Sequence, residues 1–96
     1  MIIYVDIDNT ICTDEKGEYQ NAKPINNNIK KVNKLFEEGH TIVYWTARGT
    51  VTGKDWLHLT NEQLCEWGAK YHQLSVGEKP NYDLLIDDKT KRIEEI

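Results

Sequence analysis

Two short apolar runs, Ile2-Ile3-Tyr4-Val5 and Thr41-Ile42-Val43-Tyr44-Trp45, constrain this chain most. Both are rich in β-branched and aromatic residues and apolar on both faces, which suits strands of a parallel sheet covered on each side. Between them Ile25, Ile29, Val32, Leu35 and Phe36 recur at three and four residues, and Gly39 follows. That spacing predicts an amphipathic helix with a glycine stop. Strand, helix and strand in this order predict a β-α-β unit and an α/β domain.

The remainder extends the pattern. Thr60 with Gln63 has the form of a capping box, and Leu64 and Trp67 supply an inward face before Gly68, so a second helix is expected to start at Thr60. Leu74 to Val76 and Tyr82 to Ile86 read as two further strands, and Lys89 to Ile96 as two helical turns. A loose hairpin or flap is expected from Thr13 to Asn21, and a loop rich in Gly and Thr from Ala47 to about Leu59. The resulting β-α-β-α-β-β order predicts right-handed first crossovers and a small, mainly parallel sheet in a Rossmann-like three-layer sandwich. Ninety-six residues allow one domain, residues 1–96, since a chain this short buries only about 65% of its unfolded surface.

Composition removes several classes. A formal charge of −4, without a stripe of Lys and Arg, argues against a nucleic-acid partner. A small anion would have to be met locally, by a metal ion, a few cations and oriented N–H groups. Cys12 and Cys65 have no CxxC spacing and no histidine completing a zinc pattern, which suits a reduced, cytoplasmic protein. The apolar start is interrupted by Asp6 and Asp8, and no stretch approaches the ~20 apolar residues of a membrane span, so no membrane partner is expected.

The chemistry gathers at strand ends, where ligands of parallel sheets sit. Asp6-Ile7-Asp8-Asn9-Thr10 follows the first strand, Thr46-Ala47-Arg48 the second, and Asp87-Asp88 the last, with Lys79 shortly before it. A calcium loop starting at Asp6 fails, because it needs Gly at position 11 and Glu at 17, where the chain has Ile and Gly.

These residues resemble the four motifs of the haloacid dehalogenase superfamily: Asp6, Asp8 and Thr10; then Thr46; then Lys79; then Asp87 and Asp88. The resemblance spans residues 2 to 88 and implies a phosphatase. Asp6 maps to the nucleophile that forms an aspartyl-phosphate, and Asp8 to the general acid and base. Thr46 and the N–H groups of Ala47 and Arg48 map to phosphoryl binding, and Lys79 to the cation beside Asp6. The implied cofactor is Mg2+, held by Asp6, the backbone carbonyl of Asp8 and the acidic pair. Which of Asp87 and Asp88 touches the metal stays open. Arg near a strand end is as often a surface ion-pair member as a phosphate ligand, and for Arg48 both readings stay open.

The Thr46 to Gly49 turn, the Thr52 to Trp56 loop and the block from Lys79-Pro80 to Asp88-Lys89 look like small capless phosphatases of capsule and surface-polysaccharide synthesis. That likeness implies a small phosphorylated metabolite such as a sugar phosphate. No gap between motifs holds a cap domain of ~60 residues, so the Gly49 to Leu59 loop, with Lys54, Trp56 and His58, is expected to read the substrate, unless Trp56 only packs beneath it. The chain ends eight residues after Asp88, so a fifth strand is missing or supplied otherwise, which leaves room for a homo-oligomer. Rival readings are a phosphoprotein or polynucleotide-end phosphatase of the same superfamily and a non-enzymatic phosphoacceptor receiver. A receiver carries its acceptor Asp after a middle strand, where this chain has Thr46.

Overall fold

Among the described residues four strands form one parallel sheet: β1 (Ile2–Asp6), β2 (Thr41–Thr46), β3 (Gln73–Val76) and β4 (Leu84–Ile86), in the order β3-β2-β1-β4. The structure is a computed structural model and describes residues 1–15, 18–48, 56–76 and 84–86. Helix α1 (Asn26–Glu37) joins β1 to β2, and helix α2 (Leu57–Glu66) joins β2 to β3. The chain then passes from one sheet edge to the other between Val76 and Leu84. Register is set by the apolar runs, with Ile3 opposite Ile42 and Leu84, and Val5 opposite Tyr44 and Ile86.

Strand alternation divides the apolar residues between two faces. Ile3, Val5, Ile42 and Tyr44 join Ile29 and Val32 of α1 and Leu64 of α2 in the main core, with Ile7, Ile11 and Cys12 from the turn after β1. Both crossovers step the same way across the sheet, so crossovers of one hand must lay both helices on one face, as observed. Tyr4 and Val43 face the other side with half-buried Trp45, and neither helix packs there. The described residues therefore make two layers. The third layer of the expected sandwich falls outside them, as do Tyr82, Asp83 and the predicted helical turns from Lys89.

Helix α1 runs as its periodicity predicts and stops at Gly39, whose φ of 97° is the left-handed conformation glycine tolerates best. Helix α2 corrects the sequence reading: it begins at Leu57, not Thr60, so Thr60 and Gln63 are buried inside the helix and do not form a capping box. The Thr60 hydroxyl instead donates back to the Trp56 carbonyl at 2.7 Å. The described residues after β1 make no regular hairpin. Its feet pair, the Ile25 and Thr13 N–H groups donating to the Ile11 and Lys23 carbonyls, and a single 3-10 turn, Tyr19–Asn21, lies between.

Leu64 is fully buried, and Leu64→Ala should lower the unfolding free energy by about 2–5 kcal/mol. The buried Tyr44 hydroxyl has no hydrogen-bond partner among the described residues. Tyr44→Phe should leave stability unchanged or raise it by about 1 kcal/mol, since a desolvated, unpaired hydroxyl is removed. Urea unfolding of the two variants checks both outcomes.

Candidate functional site at the carboxyl edge of the sheet

The strand order reverses at β1. From β1 the chain steps outward through β2 and β3, then returns to β4 on the other flank of β1. Such a reversal opens a crevice beyond the carboxyl ends of the strands. Half-buried Asp6 closes β1 there, its Oδ1 accepting the Ile7 N–H at 2.9 Å, which fixes the carboxylate against its own turn.

The turn after Asp6 is tight. The Thr10 and Ile11 N–H groups donate to the Ile7 carbonyl, the Asn9 N–H donates to the Cys12 carbonyl, and Asn9 takes a φ of 67°. Asn is among the few side chains that accept this left-handed conformation readily. The turn brings Asp8 back toward β2. Thr46, at the end of β2, donates its hydroxyl to Asp8 Oδ2 at 3.3 Å and accepts the Arg48 N–H at 3.2 Å. Thr10 is wholly buried; its carbonyl accepts from the Asn28 side chain at 2.8 Å, and its hydroxyl has no partner among the described residues.

Arg48 lies at the centre of the site. Beyond β2 the chain alternates buried Thr46, exposed Ala47 and buried Arg48. The Arg48 side chain has no exposed surface, whereas that of Asp8 is 21% exposed. Arg48 Nη2 meets Asp8 Oδ1 at 2.7 Å, and Nε meets Oδ2 at 3.0 Å, a two-pronged pair. Nη1 donates to Gln63 Oε1 at 2.6 Å and to Thr60 Oγ1 at 3.2 Å. Nη2 also points at Cys12 Sγ, 3.8 Å away. The guanidinium carbon lies 4.7 Å from the centre of the Tyr19 ring. A guanidinium has five N–H donors, and each of these has a protein acceptor. Arg48 is thus neither a surface ion-pair member nor a ligand with a donor left for substrate.

His58 is also corrected. It lies in the first turn of α2 rather than on a loop, its side chain is 88% exposed, and its Nε2 is 2.9 Å from Glu62 Oε1 one turn on. Half-buried Trp56 packs edge-on against Tyr19, with ring centres 4.9 Å apart, and residues 49–55 of the loop expected to read the substrate lie outside the described residues. Lys54, Lys79, Asp87 and Asp88 lie outside the described residues. Sequence reasoning passed over Tyr19 and Cys12 and gave Thr60 and Gln63 the wrong task. The three-residue spacing of Thr60 and Gln63 was the available signal, because it puts two polar side chains on one helix face.

The chain superposes on the crystal structure of an MCSG target from Vibrio cholerae with a TM-score of 0.78 and 26% identity, over 99% of this chain and 86% of the other. The two proteins share this small α/β fold. No protein-family model matches the sequence, and no curated protein matches it.

Burial pushes the Cys12 thiol up to about 12, helped by the Asp8 charge and opposed by Arg48. Burial raises the Tyr44 phenol as well. An unfolded cysteine loses its proton near pH ~8.5. Above that pH the unfolded state binds fewer protons than the folded one, so stability falls as pH rises toward 12. The urea midpoint should be flat with respect to these groups below about pH 8 and decline above about pH 9, less steeply in Cys12→Ala. At neutral pH, mass spectrometry after alkylation should find exposed Cys65 modified and Cys12 modified only in urea.

Proposed function

We propose that this protein is a magnesium-dependent phosphatase of the haloacid dehalogenase type, using Asp6 as nucleophile and acting on a small phosphorylated metabolite such as a sugar phosphate. The observation that carries the reading is the meeting of Asp8 and Thr46 at 3.3 Å beside the end of β1, where Asp6 stands at the reversal of strand order. The Asp8 carboxylate and the Thr46 hydroxyl, from separate segments, meet two residues beyond Asp6 at the edge where an α/β sheet binds ligands.

The donors suit magnesium. Asp6 offers a carboxylate, and the Asp8 carbonyl oxygen accepts no hydrogen bond from the described residues. Asp87 and Asp88 follow Ile86, the last residue of the strand paired with β1. All are hard oxygen ligands, the kind magnesium prefers. Among the described residues alone no three acidic, His or Cys side chains form a metal cluster, so the acidic pair is required to complete the set. When bound, the ion offsets negative charge on the transferring phosphoryl group.

An Asp6 carboxylate oxygen attacks phosphorus, the ester P–O bond breaks, and the leaving oxygen takes a proton from the Asp8 carboxyl. Water then gives a proton to Asp8 and attacks phosphorus, the bond to Asp6 breaks, and inorganic phosphate leaves. Asp8 must therefore alternate between acid and base. The Thr46 hydroxyl serves both states, since it donates to an ionised carboxylate and accepts from a protonated one. With Arg48 fully engaged, the Thr46 hydroxyl can donate to a phosphoryl oxygen only while a protonated Asp8 donates to it, and Lys79 is the proposed cation beside the phosphoryl group.

Phosphate release from a panel of phosphorylated metabolites tests the reading, and excess EDTA should abolish turnover; full activity in EDTA would remove the metal from the proposal. Asp6→Asn, nearly isosteric, should lower kcat by about a thousandfold or more with an unchanged circular dichroism spectrum. Substantial turnover by that variant would count against covalent catalysis at Asp6.

A further inference from the structure

Arg48 joins three parts of the chain: the turn carrying Asp8, helix α2 through Thr60 and Gln63, and the 18–24 segment through Tyr19. Gln63 extends the connection, because its Oε1 accepts from Arg48 while its Nε2 donates to the Tyr19 carbonyl at 2.7 Å. Stability alone is a poor reason for this arrangement. A buried ion pair contributes little that well-packed apolar residues would not, and it leaves a costly charge if one partner is lost. What a planar two-pronged pair supplies in addition is orientation, since both Asp8 oxygens are held in one plane. Asp8 keeps 21% of its side chain exposed, so the held carboxyl is not sealed from solvent.

We propose that Arg48 is a positioning residue: it holds the Asp8 carboxyl in the orientation that proton transfer requires and ties that orientation to α2 and the Tyr19 segment. The inference rests on the phosphatase reading. It requires that misorienting Asp8 slows proton transfer while leaving attack by Asp6 intact.

An aryl phosphate separates the two. Its leaving group departs without much acid help, so kcat/KM reports attack by Asp6. When loss of phosphate from Asp6 limits turnover, kcat reports water attack and needs Asp8 as base. Arg48→Lys keeps the charge but lacks the fork. It should lower kcat on the order of 10- to 100-fold, part of what an acid–base group supplies, with kcat/KM nearly unchanged and a burst of the phenol matching enzyme concentration. Gln63→Met, which leaves the Asp8–Arg48 pair in place, should do the same to a smaller extent and decides the matter if Arg48→Lys fails to fold. Wild-type kcat in both variants, or kcat and kcat/KM falling together, would overturn the inference about Arg48 alone. If the wild-type protein hydrolyses no phosphate ester, the phosphatase reading fails and this inference with it.

Discussion

A guanidinium with no exposed surface cannot be left without partners inside a protein, because its charge and five donors have lost water together. Arg48 meets that demand by drawing acceptors from distant positions: the carboxylate at Asp8, the hydroxyl at Thr60, the amide oxygen at Gln63, and the ring face of Tyr19. Each partner is constrained in turn. Asp8 is held against the end of β2, α2 is placed so that Thr60 and Gln63 face inward, and the segment after β1 folds back over the guanidinium. Losing one partner of a buried pair typically costs about 3–5 kcal/mol, a large share of a small domain's stability. The candidate site and the packing between these segments therefore depend on the same charge.

The sheet supplies the other constraint. Parallel strands align their carboxyl ends on one edge, so the residues closing β1 and β2 come together although forty positions of sequence separate Asp6 from Thr46. With β4 on the opposite flank of β1, Ile86 also closes its strand at that edge. The buried apolar faces of the strands bring these strand ends together.

Particular elements show why some features were legible and others were not. Helix α1 was legible because its inward positions repeat at helical spacing and Gly39 ends it. Strands β1 and β2 were legible because short, two-faced apolar runs suit few other structures. The start of α2 was missed because a capping box and two inward polar residues one turn apart have the same spacing, and nothing local tells them apart. Arg48 was misjudged for a related reason. Whether an arginine after a strand faces water or a buried carboxylate depends on which distant side chains arrive beside it. His58 was placed on a loop on the same local evidence, and the earlier start of α2 moves it into the helix, whereas Trp56 stays just before it.

By itself, then, the sequence determined the α/β class, the two β-α-β crossovers and the placing of Asp6 and Thr46 at strand ends, because each follows from hydrophobic period and chain connectivity over short distances. Tertiary structure alone decided the order β3-β2-β1-β4, the packing of both helices on one face and the burial of Arg48 against Asp8, Thr60 and Gln63. Those features rest on contacts between residues far apart in the chain. A buried charge selects its partners only once the fold has removed water from around it.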